Sequence, residues 1–244
     1  MADSRVLVFG VGGVGGFVCE SLARTGVGTI GICDMDDVDL TNINRQVPAL
    51  SSTVGRLKVD VMKERMLDIN PELKVETFAC RLGAESIADN ETADAAEKRI
   101  AAICGRYDLG SWDYVVDAID DVPAKVLLTL ACKSLVSETR SEGIPIILSM
   151  GTGNKLDLTK LRVADISKTH TCPLAKAVRA ELRRKGVNHV KCVLSEELPM
   201  NVQADESGKH VPATCMFVPA AAGLLLASEV VRELTGTDET PELK

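Results

Sequence analysis

The stretch Val6-Leu-Val-Phe-Gly10-Val-Gly12-Gly13-Val-Gly15 decides the fold of this chain. A short apolar run leads into a loop that fits the pattern GxGxxG, and a segment with helical spacing follows over residues 17–24. Glycines let the backbone approach a phosphate group, and a helix N-terminus supplies free N–H donors beside the positive end of its dipole. We therefore predict that Gly10, Gly12, Gly13 and Gly15 bind the phosphates of a nucleotide.

Predicted strands and helices alternate along the rest of the chain. Further strands are predicted at residues 29–33, 74–80, 114–118 and 144–149, and further helices at 58–69, about 122–140 and 218–235. This alternation predicts an α/β fold with a doubly wound, mostly parallel, Rossmann-like sheet that binds ligands at the carboxyl ends of its strands. Asp34 ends the second strand, where a carboxylate can accept a hydrogen bond from a ribose hydroxyl. Residues 83–105 are predicted to be a surface helical insertion and residues 195–210 a mobile loop.

Composition and charge narrow the classes of protein. The chain has 244 residues, 45% of them hydrophobic, and a net charge of −7, which excludes a disordered chain and a generally basic nucleic-acid coat protein. None of the eight cysteines forms a CxxC pair, so we expect no zinc site and interpret the cysteines as small core residues. Cys215 is interpreted in the same way. Because no signal peptide or membrane-spanning stretch is visible, we expect a cytoplasmic protein that does not contact a membrane.

Polar residues after the second strand favour a triphosphate over a nicotinamide cofactor. Arg45 offers a planar fork for phosphate oxygens, and Lys58 offers a compact positive charge. Mg²⁺ is expected with a triphosphate, because one or two carboxylates and the phosphates together can bind it. The segment Asp117-Ala-Ile-Asp120-Asp121 follows a predicted strand and supplies such carboxylates at the ligand-binding edge of the sheet.

Five motifs in a fixed order resemble the ThiF/ubiquitin-activating-enzyme-like adenylating superfamily. They are the glycine loop, Asp34-x-Asp36, Asn42-x-x-Arg45-Gln46, Gly55-x-x-Lys58 and Asp117-x-x-Asp120, within residues 4–160. The resemblance implies the ThiF-type adenylation fold and an ATP site. In that site Asp34 and Asp36 would hold the ribose and its surroundings, and Asn42, Arg45 and Gln46 would bind the nucleotide. Lys58 would neutralise the α-phosphate, and Asp120 would coordinate Mg²⁺, which makes Arg45, Lys58 and Asp120 the expected catalytic residues.

The resemblance implies an adenylation reaction. A substrate carboxylate attacks the α-phosphate of ATP, pyrophosphate leaves, and an acyl-adenylate forms. A carboxylate is already ionised at pH 7, so the attack needs no general base. We expect positioning and charge stabilisation to supply most of the rate.

The second half of the chain resembles one branch of the superfamily, which acts on threonylcarbamoyladenosine in tRNA. The resemblance rests on the segments 149–159, 163–169, 172–179 and 217–223. It implies that the threonylcarbamoyl carboxylate is activated and closes into a ring, with net loss of water. It also implies a homodimer. In relatives a helical segment before the first strand contributes an arginine to the neighbouring site. This sequence begins just before that strand. We assign residues 1–160 to ATP binding and residues 161–244 to a C-terminal substrate or dimer region of the same domain.

A group of cations in the second half points to the same substrate. Lys176, Arg179 and Arg183 would lie on one face of a helix, and three further cations follow by residue 191 with only Glu181 to oppose them. In an otherwise acidic chain this is the pattern expected for binding a phosphate backbone, so we predict that these residues bind tRNA. The alternative is a solvated helix face.

Three other functions remain open at this point. Related adenylating enzymes activate the C-terminal glycine of a ubiquitin-like sulfur-carrier protein, and a sulfur-relay or carrier protein is therefore a possible partner. An NAD-dependent oxidoreductase would use only the glycine loop and Asp34, and a non-catalytic nucleotide-binding scaffold would also fit these residues. Residues 151–153 could offer backbone groups to a monovalent cation.

Overall fold

The computed structural model describes residues 1–82, 93–200 and 214–237, which form one seven-stranded sheet with helices on both faces. The strands are β1 (Arg5–Phe9), β2 (Thr29–Cys33), β3 (Lys74–Phe78), β4 (Tyr114–Asp117), β5 (Ile146–Ser149), β6 (Leu161–Asp165) and β7 (Lys191–Ser195). They lie in the order β3-β2-β1-β4-β5-β7-β6. Five of the neighbouring pairs are parallel, and β6 runs antiparallel to β7 at the edge. The predicted α/β fold with a mostly parallel sheet is confirmed.

Each face of the sheet is covered by three helices. They are α1 (Gly15–Arg24), α2 (Lys58–Ile69) and α6 (Phe217–Thr235) on one face, and α3 (Ala93–Arg106), α4 (Val122–Ser134) and α5 (Pro173–Arg184) on the other. Neighbouring side chains along β1 alternate between the two cores, because successive residues of a strand point to opposite faces. Within the described residues, the helices are too short or too polar to cross a membrane.

Several predicted boundaries were wrong, for local reasons. The helix predicted over about 122–140 ends at Ser134, and the strand predicted over 144–149 begins at Ile146. Between them the N–H of Ile144 donates to the carbonyl of Cys132, which ties the chain to the end of α4. The sequence analysis did not predict β6 and β7, because polar and charged residues interrupt the apolar pattern of these short strands.

The segment predicted as a surface insertion is partly a packed helix. Helix α3 packs on α4, and Ile103 is only 1% exposed. Its buried face is formed by Ile100, Ile103 and Cys104, and the alanines and charged residues around them made this face hard to recognise. Residues 83–92 of the insertion and residues 201–213, which include most of the predicted mobile loop, lie outside the described residues.

The C-terminal region is part of the same sheet. Strands β6 and β7 extend it beyond β5, and α6 crosses α1 where Gly223 lies against Val14 and Phe17. A Cβ at Gly223 would lie 2.5 Å from the carbonyl oxygen of Val14, so only glycine allows this approach. The division of the chain at residue 160 stays a prediction.

Candidate nucleotide-binding site

A cavity of about 570 Å³ lies at the carboxyl ends of the central strands. The strand order reverses between β1 and β4, and open α/β sheets bind ligands at this point of reversal. Nine of the predicted site residues line the cavity: Gly10, Gly12, Gly13, Asp34, Asp36, Arg45, Gln46, Lys58 and Asp120. Gly15 and Asn42 are the two predicted nucleotide-binding residues that do not line it.

The glycine loop presents a row of backbone donors. The N–H groups of Gly12, Gly13, Val14 and Gly15 have no hydrogen-bond acceptor among the residues that the structure describes. Helix α1 begins at Gly15 without a side-chain cap, so its positive dipole end stays open. Together these features form an anion site of the kind found at helix N-termini.

Two of the glycines are required by close packing. Gly10 has φ +86°, and a Cβ there would lie 2.8 Å from the carbonyl oxygen of Ala118. A Cβ at Gly15 would lie 1.8 Å from the carbonyl oxygen of Gly10. Gly15 therefore allows the first turn of α1 to pack on the end of β1, and so it positions the loop from outside the cavity.

Asp34 holds the glycine loop and the next segment together. Its Oδ2 accepts a hydrogen bond from the N–H of Val11 at 2.7 Å, and its Oδ1 accepts one from the N–H of Asp36 at 2.9 Å. Each carboxylate oxygen keeps a further lone pair that can accept from a ribose hydroxyl. The residue thus fixes the loop and also offers an acceptor to a nucleotide.

Lys58 is a buried cation at the start of α2. The side chain is 6% exposed, and its Nζ lies 2.7 Å from Oδ2 of Asp36, whose own side chain is 62% exposed. The backbone N–H of Lys58 donates to the carbonyl of Asp36 as well. This double contact holds the ammonium group on the wall of the cavity.

The segment that follows β2 supplies two further polar side chains. Nη1 of Arg45 donates to the carbonyl of Thr41 and to Oδ1 of Asn44, so the guanidinium is folded back on its own turn. Oε1 of Gln46 is buried and has no partner among the described residues, which leaves it free for a ligand. Asn42 instead completes a capping box, in which its Oδ1 accepts from the N–H of Asp39.

A rigid turn places Asp120 on the opposite wall. The N–H of Ile119 donates to Oδ1 of Asp117, and Asp117 forms a fully buried ion pair with Lys125 at 3.0 Å. Burial raises the pKa of Asp117, and the charge of Lys125 opposes that shift. Asp121 caps helix α4 by accepting from the N–H of Ala124. Of the three carboxylates, on Asp117, Asp120 and Asp121, that of Asp120 is the exposed one.

Other parts of the lining were not predicted as site residues. The loop after β5 contributes Ser149, Met150 and residues 151–153, and Arg81 and Thr214 contribute side chains from other loops. Arg81 lies next to a segment with few large apolar residues, so nothing in the sequence indicated that Arg81 lines the cavity. The described residues contain no group of three or more His, Cys, Asp or Glu side chains that could together hold a metal ion.

The cysteines are free thiols, and five of the eight are buried. Cys33 and Cys80 line the cavity, and Oη of Tyr107 lies 3.7 and 3.3 Å from their sulfur atoms. Burial raises the pKa of the Cys33 thiol, which keeps it protonated and unreactive. Cys215 is half-buried, with its sulfur 4.0 Å from the carbonyl oxygen of Lys155.

The predicted tRNA-binding cations lie on α5. Lys176 and Arg183 are exposed, and Arg179 is partly buried. Two other cations of the group are paired with carboxylates, Arg184 with Glu181 and Lys191 with Glu229 and Glu233. The sixth cation, Lys185, is exposed, so the group differs in both exposure and pairing.

The comparisons with known proteins agree with this geometry. The model of the family described as "ThiF family" matches residues 1–244. The chain belongs to the ThiF family. The chain is 40% identical to a Bacillus subtilis (strain 168) protein named tRNA threonylcarbamoyladenosine dehydratase, over 100% of this chain and 92% of that protein.

Two solved structures of one other protein are also similar to this chain. They are those of Escherichia coli tRNA N6-threonylcarbamoyladenosine dehydratase, TcdA, in complex with AMP and in complex with ATP. The TM-scores are 0.78 and 0.77 and the identities 33% and 32%, and each match covers 97% of this chain and 87% of the other. The resemblance to the adenylating superfamily and to its tRNA-modifying branch is confirmed.

Proposed function

We propose that this ThiF-family protein uses ATP to adenylate the threonylcarbamoyl carboxylate of threonylcarbamoyladenosine in tRNA, which then cyclises. The observation that carries the proposal is the convergence of Arg45, Lys58 and Asp120 on one cavity that the glycine loop also lines. A dinucleotide site needs the loop and Asp34 alone, whereas a triphosphate under attack needs cations and a metal-holding carboxylate beside it. The convergence therefore favours adenylation over the oxidoreductase and scaffold alternatives.

The cavity can hold ATP with its phosphates over the glycine loop. The free N–H groups of Gly12, Gly13 and Val14, which line the cavity, would donate to the phosphate oxygens, and Asp34 would accept from the ribose. The unpartnered amide oxygen of Gln46 faces the same space. Lys58 is positioned to neutralise the α-phosphate, and Arg45 leaves its turn to bind the phosphates when the nucleotide enters.

Asp120 is suited to hold Mg²⁺ together with the phosphates. Its carboxylate is exposed at the cavity and has no hydrogen-bond donor or cation beside it among the described residues. Mg²⁺ keeps several waters and is bound through one or two carboxylates plus substrate phosphates, so a cluster of protein ligands is not required. When bound, the ion would draw charge from the leaving pyrophosphate.

The reaction follows from these positions. An oxygen of the substrate carboxylate forms a bond to the α-phosphorus, and the bond between that phosphorus and the bridging oxygen to the β-phosphate breaks. Pyrophosphate leaves with the electron pair, stabilised by the loop N–H groups and by the cations Arg45 and Lys58. An atom within the threonylcarbamoyl group then forms a bond to the acyl carbon and loses its proton, and the bond to AMP breaks, so AMP leaves with one of the former carboxylate oxygens.

The acceptor is assigned from the family branch and from the charge of α5. The exposed cations Lys176 and Arg183 suit an RNA backbone, as does Arg179 beside them. A sulfur-carrier protein remains the alternative substrate or partner, and its C-terminal tail would not need a cationic helix. The proposal places the protein in the cytoplasm, where tRNA and ATP are both present.

The assembly is proposed to be a homodimer. Phe217 and Leu224 lie on one face of α6 and are 56% and 54% exposed, which is unusual for large apolar side chains. Sedimentation equilibrium tests the dimer directly. A second copy that covers this face doubles the measured mass, whereas the mass of a monomer at micromolar concentration would contradict the proposal.

We further propose that residues 151–153, which line the cavity, contact the substrate or a monovalent cation.

A product analysis tests the proposed reaction. Protein incubated with ATP, Mg²⁺ and tRNA that carries threonylcarbamoyladenosine should release AMP and pyrophosphate, and only when the modified tRNA is present. Arg45→Ala and Asp120→Ala should each reduce the rate by roughly 10²-fold, the scale of losing one preorganised charge-stabilising group. Release of ADP, or a rate near that of the wild type in both variants, would overturn the proposal.

A comparison of two acceptors distinguishes the proposed tRNA substrate from a sulfur-carrier protein. Carrier proteins that end in two glycines should give no AMP above background, while the modified tRNA does. The opposite pattern would assign the protein to sulfur transfer and leave the adenylation chemistry intact.

A further inference from the structure

We propose that a second cavity, beside the C-terminal half of α5, binds one phosphate group of the RNA backbone. The cavity has a volume of about 230 Å³ and is lined by Ser167, Arg179, Arg183, Val187, Asn188 and His189. The inference rests on the proposed tRNA substrate, and it names a discrete subsite for that substrate.

The lining has the chemistry of an anion site. It combines two guanidinium groups, an imidazole and an amide, and none of the lining residues is a carboxylate. Small-molecule pockets start at about 300 Å³, so this cavity is below the size of a nucleoside site. A single phosphate group is both small enough and suited to the planar fork of arginine.

Arg179 is held in position before a ligand arrives. Its Nη1 donates to the carbonyl oxygen of Thr169 at 2.7 Å and also contacts Oγ1 of the same residue. An arginine has five N–H donors, so the remaining ones stay available to the cavity. Because the side chain is already fixed, binding a phosphate costs little further conformational entropy.

Asp165 orients two of the lining residues from outside the cavity. Its Oδ1 accepts from the N–H and Oγ of Ser167 at 2.8 and 2.5 Å, and lies 3.4 Å from Nδ1 of His189. With Nδ1 directed to the carboxylate, Nε2 of His189 is left for a ligand.

Arg183 supplies the exposed guanidinium of the site. It is exposed and has no carboxylate partner among the described residues, unlike its neighbour Arg184, which pairs with Glu181. Two adjacent arginines of one helix therefore have different environments. This difference provides a matched pair of positions for an experiment.

The second cavity lies at a distance from the first that an RNA can span. Leu174 lines the nucleotide cavity, and Arg183 lies about 14 Å farther along the axis of α5, at about 1.5 Å per residue. Leu174 and Arg183 lie on different flanks of the helix, so the RNA would cross its exposed surface near Lys176. Backbone phosphates repeat every few ångströms along a strand, so one can reach the cavity while the modified base occupies the first site.

The salt dependence of tRNA binding tests this subsite. The logarithm of the association constant falls linearly with the logarithm of the KCl concentration, with a slope set by the number of phosphates contacted. Arg183→Gln should weaken binding of the modified tRNA and reduce the slope by about 1. Arg184→Gln removes the same charge from the same helix and should leave the slope at the wild-type value, and ATP binding should be unchanged in both variants.

A double variant separates one shared phosphate from general electrostatic attraction. His189→Ala should also reduce the slope, and Arg183→Gln with His189→Ala should reduce it no further than Arg183→Gln alone, because both side chains bind the same phosphate. Equal slopes for Arg183→Gln and Arg184→Gln, or additive losses in the double variant, would overturn the subsite. If the wild-type protein neither binds nor modifies the tRNA, the proposed function fails instead, so the two failures are distinguishable.

Discussion

At the scale of single residues, the site depends on a few charges held in fixed places. Lys58 is buried against the exposed carboxylate of Asp36, and Asp117 is buried against Lys125 beneath the turn that carries Asp120. The Lys58–Asp36 pair faces the cavity, whereas the Asp117–Lys125 pair supports the turn that carries Asp120. The two pairs should therefore respond differently to substitution.

Lys58→Met should remove activity without unfolding the protein. The exchange of labelled pyrophosphate into ATP should fall by roughly 10²-fold, because the charge that opposes the α-phosphate is lost. Asp36 stays solvated when its partner is removed, since its side chain is 62% exposed, so the unfolding midpoint should change little. Lys63→Met on the same helix is the control, and equal exchange rates for the two variants would contradict the assignment.

Lys125→Met should instead destabilise the fold. It leaves Asp117 buried without a counter-charge, a change that typically costs about 3–5 kcal/mol. Replacing both partners, as in Asp117→Leu with Lys125→Met, should recover much of this loss in urea denaturation. Pyrophosphate exchange should stay low in the double variant, because Ile119 loses the acceptor that fixes the turn before Asp120. Recovery of both properties would show that the pair has no positioning role.

The sequence allowed most of these residues to be predicted, and the reason is physical. Glycines at strand ends and charges beside them have few structural uses, so nine of the predicted site residues line one cavity. Asn42 was predicted from a motif, yet its side chain caps a turn, because spacing alone does not tell where an amide points. Arg81 and Thr214 come from loops whose paths depend on tertiary packing, and they were missed.

At the scale of elements, the entry of α1 is the critical junction. Gly15→Ala would place a Cβ 1.8 Å from the carbonyl oxygen of Gly10, so α1 must shift away from β1. We expect a loss of stability of about 1–3 kcal/mol and a weaker affinity for ATP in calorimetric titration. A variant with wild-type affinity would show that the close packing of this turn does not position the phosphate donors.

Gly105→Ala serves as the matched control for that substitution. A Cβ at Gly105 in α3 meets nothing within 4 Å, so the added methyl group has room. Alanine restricts the unfolded chain more than glycine does, and the variant should be more stable by about 0.4–1 kcal/mol. Its affinity for ATP should equal that of the wild type.

Helices α1 and α2 are joined by one acidic side chain. Glu20 contacts Arg24 at 2.8 Å and Arg65 at 2.7 Å. Burial alone would raise the pKa of Glu20, but the hydrogen bonds and charges of the two arginines outweigh it and lower the pKa. Since the folded state binds the proton more weakly than the unfolded one, the stabilisation is present above the unfolded pKa of about 4.3 and is lost as the pH falls through the folded value.

Glu20→Gln measures this contribution. At pH 7 the variant should be less stable than the wild type by about 0.5–1 kcal/mol, because the pair is partly exposed to solvent. The difference in stability between the variant and the wild type should shrink below about pH 4. Glu72→Gln, at an exposed position, should show no such difference, and a pH-independent loss in Glu20→Gln would point to packing instead of charge.

At the scale of the whole molecule, the two halves of the chain build one site. Residues from the first half bring the glycine loop, Lys58 and Asp120, and Thr214 and Pro219 close the cavity from the second half. The order of strands could be predicted only in part, because pairing of β7 with β5 and β6 depends on contacts far apart in sequence. The class of fold followed from the alternation of elements, whereas the position of the last two strands did not.

The central claim is that the substrate carboxylate attacks the α-phosphorus of ATP, and an isotope transfer tests it most directly. The protein is incubated with ATP, Mg²⁺ and tRNA whose threonylcarbamoyl carboxylate carries heavy oxygen, and the products are examined by mass spectrometry. The account predicts a nucleoside lighter by one labelled water, with one labelled oxygen in AMP and none in pyrophosphate. Label retained in full by the nucleoside, or found in inorganic phosphate with ADP as the other product, would contradict it.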